Sequence, residues 1–232
     1  TVFNFEVSFA AAAEFHKIDE KSIKEYDVNS DVYKNFTKES APHILFTEKI
    51  KKASAEIVGD EKNPYLIAKK IFTWINNNIP WAGAREYSTL YNIPEYCLAN
   101  GHGDCGIKSL LFITLCRYNG VPAKWQSGWM LHPGQVNLHD WAEAYFEGYG
   151  WVPVDQSFGI TKSDDTDVNY FYLGGMDSYR LIVNDDIAQP LFPAKLFPRS
   201  ETVDFQRGEV EWKKGNLYFD KWDYDMKVKY SE

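Results

Sequence analysis

The segment from Cys105 to about Tyr118 limits the possible folds more than any other part of the chain. Ile107, Leu110, Leu111, Phe112, Ile113, Leu115 and Cys116 leave almost no polar side, and Gly120 and Pro122 follow. At helical spacing this pattern has no face to offer water, so it predicts a helix buried on most sides and closed by the glycine and proline. Such a helix needs partners on every flank, and the remaining sequence has to supply them.

Upstream, Phe46, Ile50, Ala53 and Ile57 keep helical spacing as far as Gly59. Asn63 then reads as an N-cap with Pro64 at the first helical position, and Ile67, Ile71, Trp74 and Ile75 share one face before Pro80 stops the helix. Downstream come short aromatic runs at 124–131, 139–146 and 151–155, with Glu147-Gly-Tyr-Gly150 between the last two, which predict strands and a hairpin. At the ends of the chain, Phe3, Phe5, Val7 and Phe9 alternate with polar residues, as do Trp222, Tyr224, Met226, Val228 and Tyr230. Both read as half-buried strands, with Lys213-Lys-Gly-Asn216 as a hairpin turn. The expectation is an α+β fold, one domain over 1–232, with a strand and helix segment at the N-terminus and a β extension at the C-terminus. No repeat, low-complexity tract or linker divides it.

The net charge of −8 argues against a groove for DNA or RNA, which needs clustered Lys and Arg. No stretch approaches the roughly 18 apolar residues of a bilayer span, so none is expected. The chain starts at Thr1 without Met, which suggests trimming or processing, with any signal segment lost. Three cysteines, Cys97, Cys105 and Cys116, are an odd count that speaks against a disulfide scaffold.

Cys105 follows the glycine-bearing loop Gly101-His-Gly-Asp104, at the start of the buried helix. The unpaired N–H groups and positive dipole end there favour a thiolate and offer donors to an oxyanion. The best base is His139, and Asp155, at the end of the next strand, would orient it. Parity decides whether they meet. If Phe146 pairs with Gly150 across a three-residue loop, His139 and Asp155 become diagonal neighbours on one face, whereas an unbulged loop of two or four residues separates them.

Gly103-Asp-Cys-Gly106, Arg117-Tyr-Asn-Gly-Val-Pro-Ala123, Ser127-Gly128, His139-Asp-Trp-Ala-Glu143 and Gly150-Trp-Val-Pro-Val-Asp155 together resemble the transglutaminase-like superfamily over residues 64–160. The resemblance implies a papain-like core: a helix carrying the nucleophile Cys105 on an antiparallel sheet carrying the base His139 and the orienting acid Asp155. An upstream aromatic residue can assist the oxyanion in this family, and Trp81 is placed for that part. Animal transglutaminases have Trp directly after the cysteine, where this chain has Gly106, so a secreted microbial thiol hydrolase is the better analogue. It would be bacterial, periplasmic or at the cell surface. The implied reaction is acyl transfer on a protein, peptide or peptidoglycan-like amide, chiefly hydrolysis, with no cofactor. The alternatives are a protein-crosslinking enzyme and a non-catalytic module gripping a peptide or glycan.

Other features have plainer readings. Cys97 and Cys116 are core thiols. Cys97, His102 and Cys105 have a zinc-like spacing but lack a fourth ligand, and Ser163-Asp-Asp-Thr-Asp167 lacks the glycine and glutamate of a calcium loop. His16, His43 and His132 fall outside the matching blocks, and Trp125, Trp129, Trp141 and Trp151 are core or cleft aromatics.

Overall fold

The computed structural model describes residues 1–187 and 189–230. In chain order the elements are β1 (Glu14–Phe15), α1 (Asp31–Phe36), α2 (Glu48–Ile57), α3 (Pro64–Asn78), α4 (Ile93–Asn100), α5 (Cys105–Tyr118), β2 (Ala123–His132), β3 (Gln135–Phe146) and β4 (Gly150–Val154). They continue with α6 (Thr166–Asn169), β5 (Gly175–Met176), β6 (Arg180–Asp185), β7 (Val210–Trp212) and β8 (Gly215–Leu217). The main sheet is antiparallel, in the order β4-β3-β2-β6. α5 packs on β2 and β3 on one side and on α2, α3 and α4 on the others. Its residues from Gly106 to Arg117 are all buried, as the apolar pattern requires.

Local chemistry fixes where the helices start. Thr47 caps α2 by accepting from the Ile50 N–H. Asn63 Oδ1 accepts from Tyr65 N at 3.0 Å and Leu66 N at 3.2 Å, and Pro64, with no N–H to satisfy, opens α3. Asp104 caps α5 through the Ile107 N–H at 2.9 Å, which places Cys105 at its first position. Trp125, Phe72, Phe112 and Phe146 fill the space between helices and sheet.

The β3–β4 register is the one on which the site depends. Phe146 pairs with Gly150 around Glu147–Tyr149, and Ala142 pairs with Val154. Gly148 and Gly150 take φ of +96° and +89°, a conformation in which a side chain would be strained. At the other edge, the pairing of β2 with β6 shifts between Ser127 and Gly128. A Cβ on Gly128 would lie 1.8 Å from the Leu181 carbonyl oxygen, so glycine is what lets β6 close on the strand pair opposite His139.

Two expected strands do not form. Residues 1–13 carry no regular structure, with Phe3 and Phe5 exposed, and residues 222–230 likewise form no strand. Alternation says which face of a strand would be buried, but a strand also needs an edge to pair with. β6 already occupies the edge beyond β2. The turn at Lys213–Lys214 does form, but the hairpin ends at Leu217. β3 starts at Gln135, so His139 sits well inside the strand rather than at its start.

Candidate active site

α5 and β3 each supply one side chain, Cys105 and His139, to the lining of one cavity, and the chain after β4 sets Asp155 against His139. His139 Nε2 lies 2.7 Å from Asp155 Oδ2, and both side chains are buried. Asp155 Oδ1 accepts from the backbone N–H groups of Ser157 and Phe158 at 2.9 and 3.3 Å, which holds the carboxylate still. Burial alone would raise the Asp155 pKa, but His139, Arg180 and these donors outweigh it and hold the group below the usual carboxylate range. Phe158 stands edge-on to the imidazole at 5.7 Å. With Nε2 committed to Asp155, Nδ1 is the nitrogen left for the cavity.

That cavity, about 640 Å³, is lined by Cys105 and His139 together with Trp81, Tyr87, Phe158 and Gln206. Trp81 is well exposed at its wall, with its backbone paired to Gly103 two residues before the cysteine. Cys97 lies fully buried in the core instead, so the two sulfurs point to different surroundings. Among the described residues no group of three His, Cys, Asp or Glu side chains is arranged to hold a metal ion.

The thiol departs from expectation. Its hydrogen bond goes not to His139 but to Asp140, with Cys105 Sγ donating to Oδ2 at 3.3 Å. Burial, followed by the charges of Asp140 and Asp104, pushes the thiol pKa well up, although the Asp140 backbone N–H pulls the other way. The helix N-terminus is thus present as foreseen, but burial and two neighbouring carboxyls oppose it.

Four site residues escaped the sequence reading. Tyr87 places its hydroxyl between Asp104 Oδ1 (2.9 Å) and Asp140 Oδ2 (3.0 Å). Gln206, from the C-terminal segment, donates to the His139 carbonyl at 3.3 Å and to Asp140 Oδ1. Arg180 sets Nη1 3.2 Å from Asp155 Oδ2, an ionic contact without hydrogen-bond alignment, and donates to Asp177 from Nη2 and Nε at 2.8 and 3.1 Å. His132 Nε2 lies 2.9 Å from Asp177, so it belongs to this supporting chain and not to the thiol. Asp140 itself was the one detectable signal, being a carboxylate inside the histidine block.

Gly106 has a steric reason here. A Cβ would lie 2.2 Å from Tyr87 Oη and 2.7 Å from Asp140 Oδ2, so a larger residue after the cysteine requires these side chains to shift.

Residues 51–156 match the model of the transglutaminase-like superfamily. The matched segment is a little under half of the chain. An uncharacterized protein of Haemophilus influenzae is 29% identical over 160 residues, 57% of this chain, and the match spans 41% of that protein's length. A candidate cysteine protease from Cytophaga hutchinsonii aligns over 68% of this chain and 55% of its own, with 22% identity and a TM-score of 0.47. The periplasmic domain of TgpA from Pseudomonas aeruginosa aligns over 55% and 47%, with 16% identity and a TM-score of 0.45. Red sea bream transglutaminase aligns over 60% and 27%, with 14% identity and a TM-score of 0.34. No helix among the described residues is long and apolar enough to cross a membrane.

Proposed function

We propose that this transglutaminase-like chain is a thiol-dependent enzyme that hydrolyses amide bonds of a protein, peptide or peptidoglycan-like substrate. Cys105 is the nucleophile, His139 the acid and base, and Asp155 the group that orients the imidazole. The observation that carries this reading is the 2.7 Å contact between His139 Nε2 and Asp155 Oδ2, which leaves Nδ1 to a cavity that Cys105 also lines.

In this reading the sulfur turns from Asp140 toward His139, and its proton passes to Nδ1. The sulfur then attacks the amide carbonyl. The oxyanion is met by the Cys105 backbone N–H at the start of α5, with Trp81 as a second donor from the cavity wall. His139 returns the proton to the leaving amine, the C–N bond breaks and a thioester remains. Water, deprotonated by His139, releases the acid and regenerates the thiol. The Asp155 carboxylate keeps the tautomer with its proton on Nε2 and steadies the imidazolium.

Products from a peptide library treated with wild type, Cys105→Ala and His139→Ala test this reading. Hydrolysis by wild type, abolished by Cys105→Ala and reduced about 10²–10⁴-fold by His139→Ala, is the expected pattern. Products containing only incorporated amine, with no hydrolysis, would assign the chain to crosslinking.

A further inference from the structure

The reaction just described gives no part to Asp140, yet its carboxyl is the group that touches the sulfur. It is 2% exposed, with Oδ2 facing Cys105 Sγ at 3.3 Å and Tyr87 Oη at 3.0 Å, and Oδ1 facing the Gln206 amide. Tyr87 has one hydroxyl proton and two carboxyls within reach, so it serves one of them at a time. Asp104 also accepts from the backbone N–H groups of Ile107 at 2.9 Å and Arg85 at 3.3 Å, and its oxygens are therefore better satisfied as an anion. Asp140 is the carboxyl of the pair better suited to take up a proton.

Charge around Asp140 comes from every element packed on it. The start of α5 brings Asp104 and Cys105, its own strand brings His139, and the C-terminal segment brings Asp204, while Tyr87 contributes a neutral hydroxyl. Of these, Asp104 favours the protonated form of Asp140 and His139 opposes it.

We propose that Asp140 is a catalytic control group on the nucleophile: as a carboxylate it accepts the S–H bond and keeps the proton on sulfur, and as a carboxylic acid it donates to the thiolate. This rests on the reading of Cys105 as the nucleophile. The two protons are separate. One moves from Sγ to His139 Nδ1, and the other enters from solvent through the cavity and stays on Oδ2, hydrogen-bonded to the negative sulfur. Burial, with Asp104 adding to it and His139 opposing it, pushes Asp140 up to about 7, so the change of state falls near neutrality. The thiolate is then favoured on the acid side of that range and suppressed above it.

The test is the rate of iodoacetamide alkylation at Cys105, read by peptide mass spectrometry between pH 5 and 9. It compares wild type with Asp140→Asn, which keeps the shape and removes the charge, and with Asp140→Ala. At pH 8 the asparagine variant is expected to alkylate at least tenfold faster than wild type, its titration midpoint displaced to lower pH, and the alanine variant to move the same way by less. A rate within twofold of wild type overturns the proposal. A slower rate also overturns it and makes Asp140 a base for the thiol. If neither variant folds by near-ultraviolet circular dichroism, Tyr87→Phe serves instead. Loss of a donor to the carboxylate lets Asp140 keep its proton to higher pH, so rapid alkylation should extend upward in pH, and an unchanged profile refutes the idea. Alkylation needs no substrate. Hydrolysis surviving in Cys105→Ala would defeat the proposed function while leaving the alkylation result to be read on its own.

Discussion

Replacing Arg180 by Met removes the cation that joins the site's carboxylate to the rest of the sheet while keeping comparable bulk. Arg180 is 7% exposed, with its guanidinium 4.6 Å from the Phe158 ring centroid, between Asp155 and Asp177. Breaking one side of a buried ion pair costs about 3–5 kcal/mol, because the other charge is left behind. Here Asp155 keeps His139 and two backbone donors, and Asp177 keeps His132 and the Tyr179 N–H. The low end, about 3 kcal/mol, is therefore expected. At about 2–4 °C per kcal/mol for a chain of this size, the melting temperature should fall by about 6–12 °C.

The pH dependence should change as well. Asp155 has a depressed folded pKa, so its contribution to stability is complete above the unfolded value of about 3.9 and is lost as pH falls through the folded value. Without Arg180 the depression shrinks, the contribution at pH 7 becomes smaller, and acid unfolding begins at higher pH. Urea denaturation at pH 7 and pH 4 measures both effects. A free-energy change within about 0.5 kcal/mol of wild type, with an unmoved acid midpoint, would show that Arg180 does not support Asp155.

Asp155→Asn should leave the fold intact and lower kcat about 10³–10⁴-fold with little change in KM, because it loses the carboxylate that selects the tautomer; steady-state kinetics on the library's best peptide measures this. Gly128→Ala should cost at least about 2 kcal/mol in urea denaturation, since its Cβ would meet the Leu181 carbonyl at 1.8 Å and push β6 from the sheet. Gly106→Ala should lower the melting temperature, because Tyr87 and Asp140 fill the space the methyl needs; a melting curve equal to wild type would mean that these side chains yield easily.

The features legible in the sequence were those that chemistry writes locally. Asn63 with Pro64 announces a helix start through a cap that acts within three residues. The all-apolar run after the Gly101–Asp104 loop announces another, although the capping part of Asp104 emerges only with the structure. The hairpin after Phe146 is legible but its loop length is open, and it is the observed three-residue loop that sets the register bringing Asp155 to His139 from sixteen residues away. Arg180 and Gln206 lay beyond reach for the opposite reason. Arg180 enters through β6, which pairs with β2 across an intervening stretch that no motif marks, and Gln206 enters on a segment without regular structure. The alternating phenylalanines of residues 3–9 misled because a period of two describes a face and not a partner. Tyr87 was one of fifteen tyrosines, with nothing local to single it out.

The most direct measurement is the mass of the intact enzyme, quenched in acid during turnover of an amide substrate and then mapped by peptide. A transient increase equal to the substrate's acyl fragment, located on Cys105 and absent from Cys105→Ala, is what the thiol mechanism requires. Turnover with no adduct on Cys105, continuing undiminished in Cys105→Ala, would contradict it.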